Sequence, residues 1–129
     1  ERLTQNFFIS VPTLSQHAAV AAFDCRDELD QHVRRYRRNR DLLLAGLPEA
    51  GFDRFAPAEG AFYLYGDVAH LTNDSRDFCK RMLAEAGVAT TPGVDFDRAR
   101  GAGTLRISFA GSTAEMEEAV RRLKAWRRL

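Results

Sequence analysis

From Ala61 onward, patterns typical of strands and helices follow one another in an order that restricts the possible folds. The predicted elements are a strand at Ala61–Val68, a helix from Asp74 or Ser75 to Gly87, a short strand at Val88–Thr91, a clear strand at Leu105–Ala110, and a helix beginning at a Ser112–Glu115 capping box. The strand–helix–strand–strand–helix order predicts a split β-α-β arrangement. In it the third strand lies between the first two, antiparallel to each, and both helices cover one face.

A long helix is expected before this unit, over residues 26–47. Its apolar side chains recur at roughly helical spacing and are Leu29, Val33, Tyr36, Leu43, Leu44 and Leu47. The predicted fold class is therefore α/β, as a two-layer α+β domain. Its three- to four-stranded, largely antiparallel sheet has helices on one face and the long helix before it.

The alternation of side chains along the strand TLRISFA singles out one candidate binding residue, Arg106. Leu105, Ile107 and Phe109 point to one face of the strand, and Arg106 points to the other between small residues. A guanidinium group is planar, stays charged, and matches a carboxylate or phosphate with two parallel hydrogen bonds. Alternation alone favours a surface arginine, or one paired with a structural Asp or Glu.

The composition is that of one globular domain, with 129 residues, 45% hydrophobic, 29% charged and a net charge of +1. No apolar run is long enough to span a membrane. Cys25 and Cys79 have no CxxC spacing, which favours free thiols in a reducing, cytoplasmic compartment. The histidines have no metal-ligand spacing, so no metal site is predicted.

Five segments together resemble one known protein family. They are GAFYLY (60–65), AEAGVATTPG (84–93) with the following VDFD, LRISFAGS (105–112), EMEEAVRRLKAW (115–126) and SVPTLSQHAAVAAF (10–23). In their order and spacing, the segments from residue 60 on resemble the C-terminal small domain of fold-type I, pyridoxal-phosphate-dependent aminotransferases. The segment at 10–23 resembles the stretch that follows the cofactor-lysine region in that family. The resemblance covers nearly the whole chain and is specific for the family, but not for a substrate.

The resemblance implies that Arg106 binds the α-carboxylate of an amino acid or 2-oxo acid, and that Phe62 lies near the substrate. Core packing is the alternative for Phe62. The resemblance also implies that residues 1–24 pack on a large domain and that residues 25–129 form the small domain. Pyridoxal phosphate would be the cofactor of a longer parent protein and is not expected on this chain.

The only lysines are Lys80 and Lys124, and neither has the family's Schiff-base motif around it. We therefore predict no catalytic residue here and no transamination by this chain alone.

The chain starts at Glu1 without an initiator Met, so we expect a fragment. Its apolar N-terminus should either make a homodimer or stay mobile.

Two other functions remain open from the sequence. The β-α-β-β-α order also occurs in non-enzymatic regulatory modules that bind amino acids. The arginine-rich stretch from Arg34 to Arg40 could contact nucleic acid or an acidic partner, although its Asp and Glu neighbours favour a solvated helix face. We expect neither nucleic acid nor a membrane as partner.

Overall fold

A three-stranded antiparallel sheet organises the second part of the chain in the computed structural model, which describes residues 1–126. Its strands are β1 (Tyr63–Asp67), β2 (Thr91–Pro92) and β3 (Thr104–Ser108). β3 lies in the middle and is antiparallel to both neighbours. The predicted split β-α-β topology is therefore confirmed.

The second strand lies further along the chain than the predicted Val88–Thr91. The backbone N–H of Val88 donates to the Met82 carbonyl, which closes the preceding helical turn, and the Val88 side chain is buried. Because Val88 finishes the helix instead of joining the ladder, sheet pairing begins only at Thr91, opposite Arg106.

Residues 1–126 contain five α-helices. They are α1 (Arg2–Phe7), α2 (Thr13–Ala22), α3 (Arg26–Gly46), α4 (Ser75–Arg81) and α5 (Thr113–Trp126). One π-helical turn, Met82–Ala86, continues α4 and ends at Gly87, whose φ of 67° is left-handed. The long predicted helix is thus confirmed as α3, whereas the sequence did not predict α1. Among the described helices none has the length and apolarity needed to cross a membrane.

Side chains cap the helices that pack on the sheet. The Asp74 carboxylate accepts from the backbone N–H groups of Arg76 and Asp77, so it satisfies two donors at the start of α4. At α5, the Glu115 carboxylate accepts from the Ser112 N–H at 2.7 Å, and the Ser112 hydroxyl accepts from the Glu115 N–H. This is the predicted capping box.

One face of the sheet is packed and the other is open. Leu105, Ile107 and Phe109 are buried and belong to the same apolar core as residues of α3, α4 and α5. Phe78 of α4 lies 5.5 Å from Trp126 of α5, measured between ring centres. The prediction that helices cover a single face is confirmed, and Arg106 lies on the face they leave open.

Helix α3 joins the core through a narrower stripe than the sequence predicts. Leu43 and Leu47 of the predicted apolar stripe are buried, whereas Leu29, Val33 and Leu44 are exposed. The stripe runs instead through Asn39, Leu43 and Leu47, at intervals of one helical turn.

Asn39 is fully buried and connects three parts of the fold. Its amide Nδ2 donates to the carbonyls of Phe109 and Gly111, both at 3.0 Å. Its amide oxygen accepts from the Thr113 hydroxyl at 2.8 Å. A single side chain therefore ties α3 to the end of β3 and to the first turn of α5.

The chain divides into two compact units, Glu1–Arg34 and the residues from Arg35 on. Every residue of the first unit is exposed, including large apolar side chains such as Phe7, Ile9 and Phe23. The second unit contains the sheet and the whole buried core. The boundary at residues 24 and 25, which concerns packing on a large domain, stays a prediction.

We expect Asn39→Ala to lower the free energy of unfolding by about 2–4 kcal/mol, because it leaves two buried carbonyls and one hydroxyl without their partner. Urea unfolding followed by circular dichroism measures this. Asn73→Ala, the same change at an exposed asparagine, is the control and should stay within about 0.5 kcal/mol of wild type. Equal effects of the two substitutions would contradict the structural role of Asn39.

Candidate functional site

Arg106 occupies the centre of the open face of the sheet. In the strand register it lies between Tyr65 of β1 and Thr91 of β2, which therefore share its face. Its side chain is half-buried. The alternation predicted for this strand is thus confirmed, and it places a permanent positive charge on the face of the sheet opposite the packed core.

Two aromatic rings enclose the guanidinium group of Arg106. Its central carbon lies 4.6 Å from the ring centre of Phe96 and 5.2 Å from that of Tyr63. Both distances fall within the roughly 6 Å range of cation–π attraction. Within residues 1–126, no carboxylate forms an ion pair with Arg106, and no acceptor takes a hydrogen bond from its side chain. Its donors therefore remain available to an external anion.

Phe96 reaches Arg106 from a tightly folded loop. The 3-10 turn Gly93–Asp95 follows β2, and the N–H groups of Phe96 and Asp97 both donate to the Gly93 carbonyl at 2.9 Å. The backbone of Gly93 packs directly against Gly101, with no room between them for a side chain. This close approach fixes the loop beside β3.

Tyr63 reaches Arg106 from the start of β1, and Phe62 directly precedes it in the chain. The Phe62 carbonyl accepts from the Phe109 N–H at 2.8 Å, and its ring meets that of Tyr63 edge to face at 5.9 Å. Phe62 is 48% exposed, so core packing, the alternative explanation for this residue, does not describe its position. The preceding Ala61 has a left-handed φ of 56°, a strained conformation for a residue other than glycine. Substrate contact by Phe62 stays a prediction.

An open cleft of about 520 Å³ adjoins this cluster on the same face. Tyr65, the register partner of Arg106, lines it, and the Tyr65 hydroxyl is 2.8 Å from the Thr104 hydroxyl oxygen. Arg54 and the Asp97–Arg100 ion pair supply charges at its rim. Arg106 itself does not line the cleft, so Tyr65 is the residue that connects the two.

The family resemblance singled out Arg106 and Phe62 as candidate site residues, whereas the ring contacts of Tyr63 and Phe96 with Arg106 were not predicted. A phenylalanine in the short loop Val94–Asp97, where no core is predicted, was the available signal for Phe96. Tyr63 gave no separate signal, because aromatic residues are common in strands.

The lysines do not form a cofactor site. Lys80 is exposed on α4, and Lys124 on α5 forms a 2.9 Å ion pair with Glu49. Neither lies on the open face with Arg106, so the described residues do not fit pyridoxal phosphate. In the same part of the chain, no group of three or more His, Cys, Asp or Glu side chains could hold a metal ion.

Comparison with known proteins identifies one family. The family model for aminotransferases of class I and II matches residues 2–123. The valine–pyruvate aminotransferase of Mycobacterium tuberculosis is 52% identical over 126 residues, which are 96% of this chain and 32% of that protein. A (5-formylfuran-3-yl)methyl phosphate transaminase of Methanocaldococcus jannaschii is 35% identical over 95% of the chain and 32% of its own length.

The solved structures agree with the sequence comparison. The crystal structure of an aminotransferase from Mycobacterium tuberculosis superposes with a TM-score of 0.87 and 52% identity, covering 97% of this chain and 33% of that one. The chain therefore spans about a third of the length of the relatives that it matches.

Gly93→Ala should destabilise the loop that carries Phe96. An added Cβ would collide with the Thr104 hydroxyl and come within 2.8 Å of the Gly101 carbonyl. We expect a loss of about 3 kcal/mol in urea unfolding, as for overpacking of a tight site. Gly60→Ala is the matched control, because a Cβ there meets nothing within 4 Å. Equal stability of the two variants would refute this account of the loop.

The same loop should weaken at low pH through Asp97. Hydrogen bonds from the backbone N–H groups of Arg100 and Ala99, followed by the Arg100 side chain, hold the pKa of Asp97 below its usual 3.8. Because the folded pKa is the lower one, its stabilising effect is present above about pH 3.8 and is lost as the pH falls through the folded pKa.

Carboxyl carbon NMR of Asp97 over a pH titration measures this shift. Arg100→Ala serves as the comparison variant and should retain most of the shift, since backbone donors are the main cause. A titration midpoint of wild-type Asp97 at or above pH 3.8 would show that Asp97 does not accept these hydrogen bonds in solution.

Proposed function

The chain belongs to the aminotransferase class I and II family, and on that premise we propose that it is the domain that grips the substrate carboxylate. In the proposal, Arg106 binds the α-carboxylate of an amino acid or of a 2-oxo acid. One observation carries it: within residues 1–126 the Arg106 guanidinium has ring faces beside it and no anionic partner. A planar charged group with free donors on an open face is suited to a carboxylate.

The family uses pyridoxal phosphate, and in our proposal the cofactor binds to parts of a parent protein other than this chain. When bound there, it supplies the group that accepts and returns the substrate amino group. The residues of this chain hold the carboxylate end of the substrate and orient it. Phe62 and Tyr63 form the apolar wall next to that end. By itself, the chain would bind substrate weakly and would not transfer the amino group.

We propose L-valine and pyruvate as the first substrate pair to assay. The pair is named in the 52% identical relative from Mycobacterium tuberculosis. The aromatic side chains near Arg106 agree with a substrate that is apolar next to its carboxylate.

For the first unit we propose a docking role toward the large domain of the parent protein. Its apolar groove is lined by Ala19, Ala22, Phe23 and Leu29, with Arg26 as the one charged residue. An apolar surface of this kind is normally covered by protein. The matched relatives are about three times as long as this chain, and this extra length leaves room for such a domain in proteins of the family. When the chain is studied alone, a second copy would cover the groove as a homodimer.

The other functions receive less support. Family membership favours the enzyme domain over a non-enzymatic regulatory module. In the arginine-rich stretch, Arg40 donates to the Asp41 carboxylate at 2.8 and 2.9 Å, which reduces the charge offered to nucleic acid. Cys25 and Cys79 are free thiols, and they support the proposed cytoplasmic location.

Arg106→Ala in the full-length parent enzyme should weaken carboxylate binding by about 2–5 kcal/mol, the usual effect of removing one partner of a buried charge pair. Steady-state assays with L-valine and pyruvate measure it as a raised KM and a lowered kcat/KM. Arg76→Ala, which removes an exposed arginine from a surface ion pair, is the matched control and should leave both constants unchanged. An Arg106→Ala enzyme with unchanged dependence on amino-acid and oxo-acid concentration would disprove the assignment.

A further inference from the structure

The rings of Phe96 and Tyr63 contact Arg106 in a way that differs from ordinary arginine pairing. An arginine is usually held by hydrogen bonds or ion pairs, which consume its N–H donors. Here the guanidinium carbon lies 4.6 Å and 5.2 Å from two ring centres, and no acceptor within residues 1–126 binds its donors. Aromatic faces attract the cation while leaving every donor free.

The two rings come from separate elements that are each fixed in place. Tyr63 is the first residue of β1, and its register partner is Ser108 of β3. Phe96 ends the turn that begins at Gly93, where backbone packs against backbone. Because neither ring depends on the other for its position, together they restrict the guanidinium more than either would alone.

Phe96 is also 52% exposed, which is unusual for a large apolar residue in a tightly folded loop. It does not belong to the buried core. Within the part of the chain that the structure describes, its ring contacts the cation of Arg106 and no other ring. The main effect of this ring is therefore on Arg106 and not on the stability of the fold.

We propose that Phe96 is a positioning residue for carboxylate binding, with Tyr63 as its counterpart. The ring of Phe96 fixes the plane of the guanidinium so that two parallel N–H groups face the open side of the sheet. A carboxylate then meets an arginine that loses little further freedom on binding. This inference rests on the proposed function, since it requires Arg106 to be the carboxylate site.

The test uses the 129-residue chain and acetate as the carboxylate probe. In the wild-type chain, ring currents should displace the Arg106 Nε–H NMR signal from those of the exposed arginines. Phe96→Leu should return the signal toward theirs and weaken acetate binding roughly two- to fivefold, the loss expected for one exposed cation–π contact. Phe96→Tyr keeps an aromatic face and should preserve both the displaced signal and the acetate affinity.

Two further variants separate the possible failures. Phe7→Leu makes the same change at an exposed phenylalanine of the first unit and should alter neither the Arg106 Nε–H signal nor acetate binding. Arg106→Lys keeps the charge but loses the planar pair of donors, so it should weaken acetate binding more than Phe96→Leu does. If Arg106→Lys weakens binding and Phe96→Leu does not, positioning by Phe96 is wrong and the carboxylate site stands. If acetate fails to bind the wild-type chain, or binds the Arg106→Lys variant equally well, the carboxylate site itself is wrong.

Discussion

The buried amide of Asn39 is the interaction on which the rest of the second unit depends. Three elements meet at it: the middle of α3 and, more than 60 residues further along the chain, the end of β3 and the first turn of α5. A carbonyl at the end of a strand has lost its ladder partner, and a buried one needs a replacement. The amide supplies it for both Phe109 and Gly111. An apolar side chain of the same size would fill the space but leave these groups unsatisfied.

This arrangement explains why the two faces of the sheet differ so sharply. The helices and the Asn39 bridge hold β3 from one side only, and the apolar core lies entirely there. The other side is free of structural demands, so Arg106 can stand at its centre without a structural partner. The close packing of Gly93 on Gly101 adds a rigid loop at the edge of this free face. A binding site requires such a firm support for its half-buried charged group.

Local patterns were sufficient to predict much of this fold. The alternation of Leu105, Arg106 and Ile107, the Ser112–Glu115 capping box and the order of elements led to the observed topology. Asn39 escaped prediction because an asparagine among arginines on a helix has the pattern of a solvated surface; only the distant carbonyls reveal its role. The rings beside Arg106 escaped for a similar reason, since the contact of Phe96 depends on how a loop folds and not on any local period.

The chain exposes apolar surface in its first unit and free hydrogen-bond donors at Arg106, and each of these suits a different kind of partner. Covering the apolar surface of the first unit stabilises a complex in proportion to the area covered, with little dependence on orientation. Arg106 exposes oriented donors, which are satisfied by a few atoms at fixed positions. A protein domain suits the first and a small carboxylate suits the second. In the proposed site, the two rings attract the cation of Arg106 without using its N–H donors, so those donors stay free for a carboxylate.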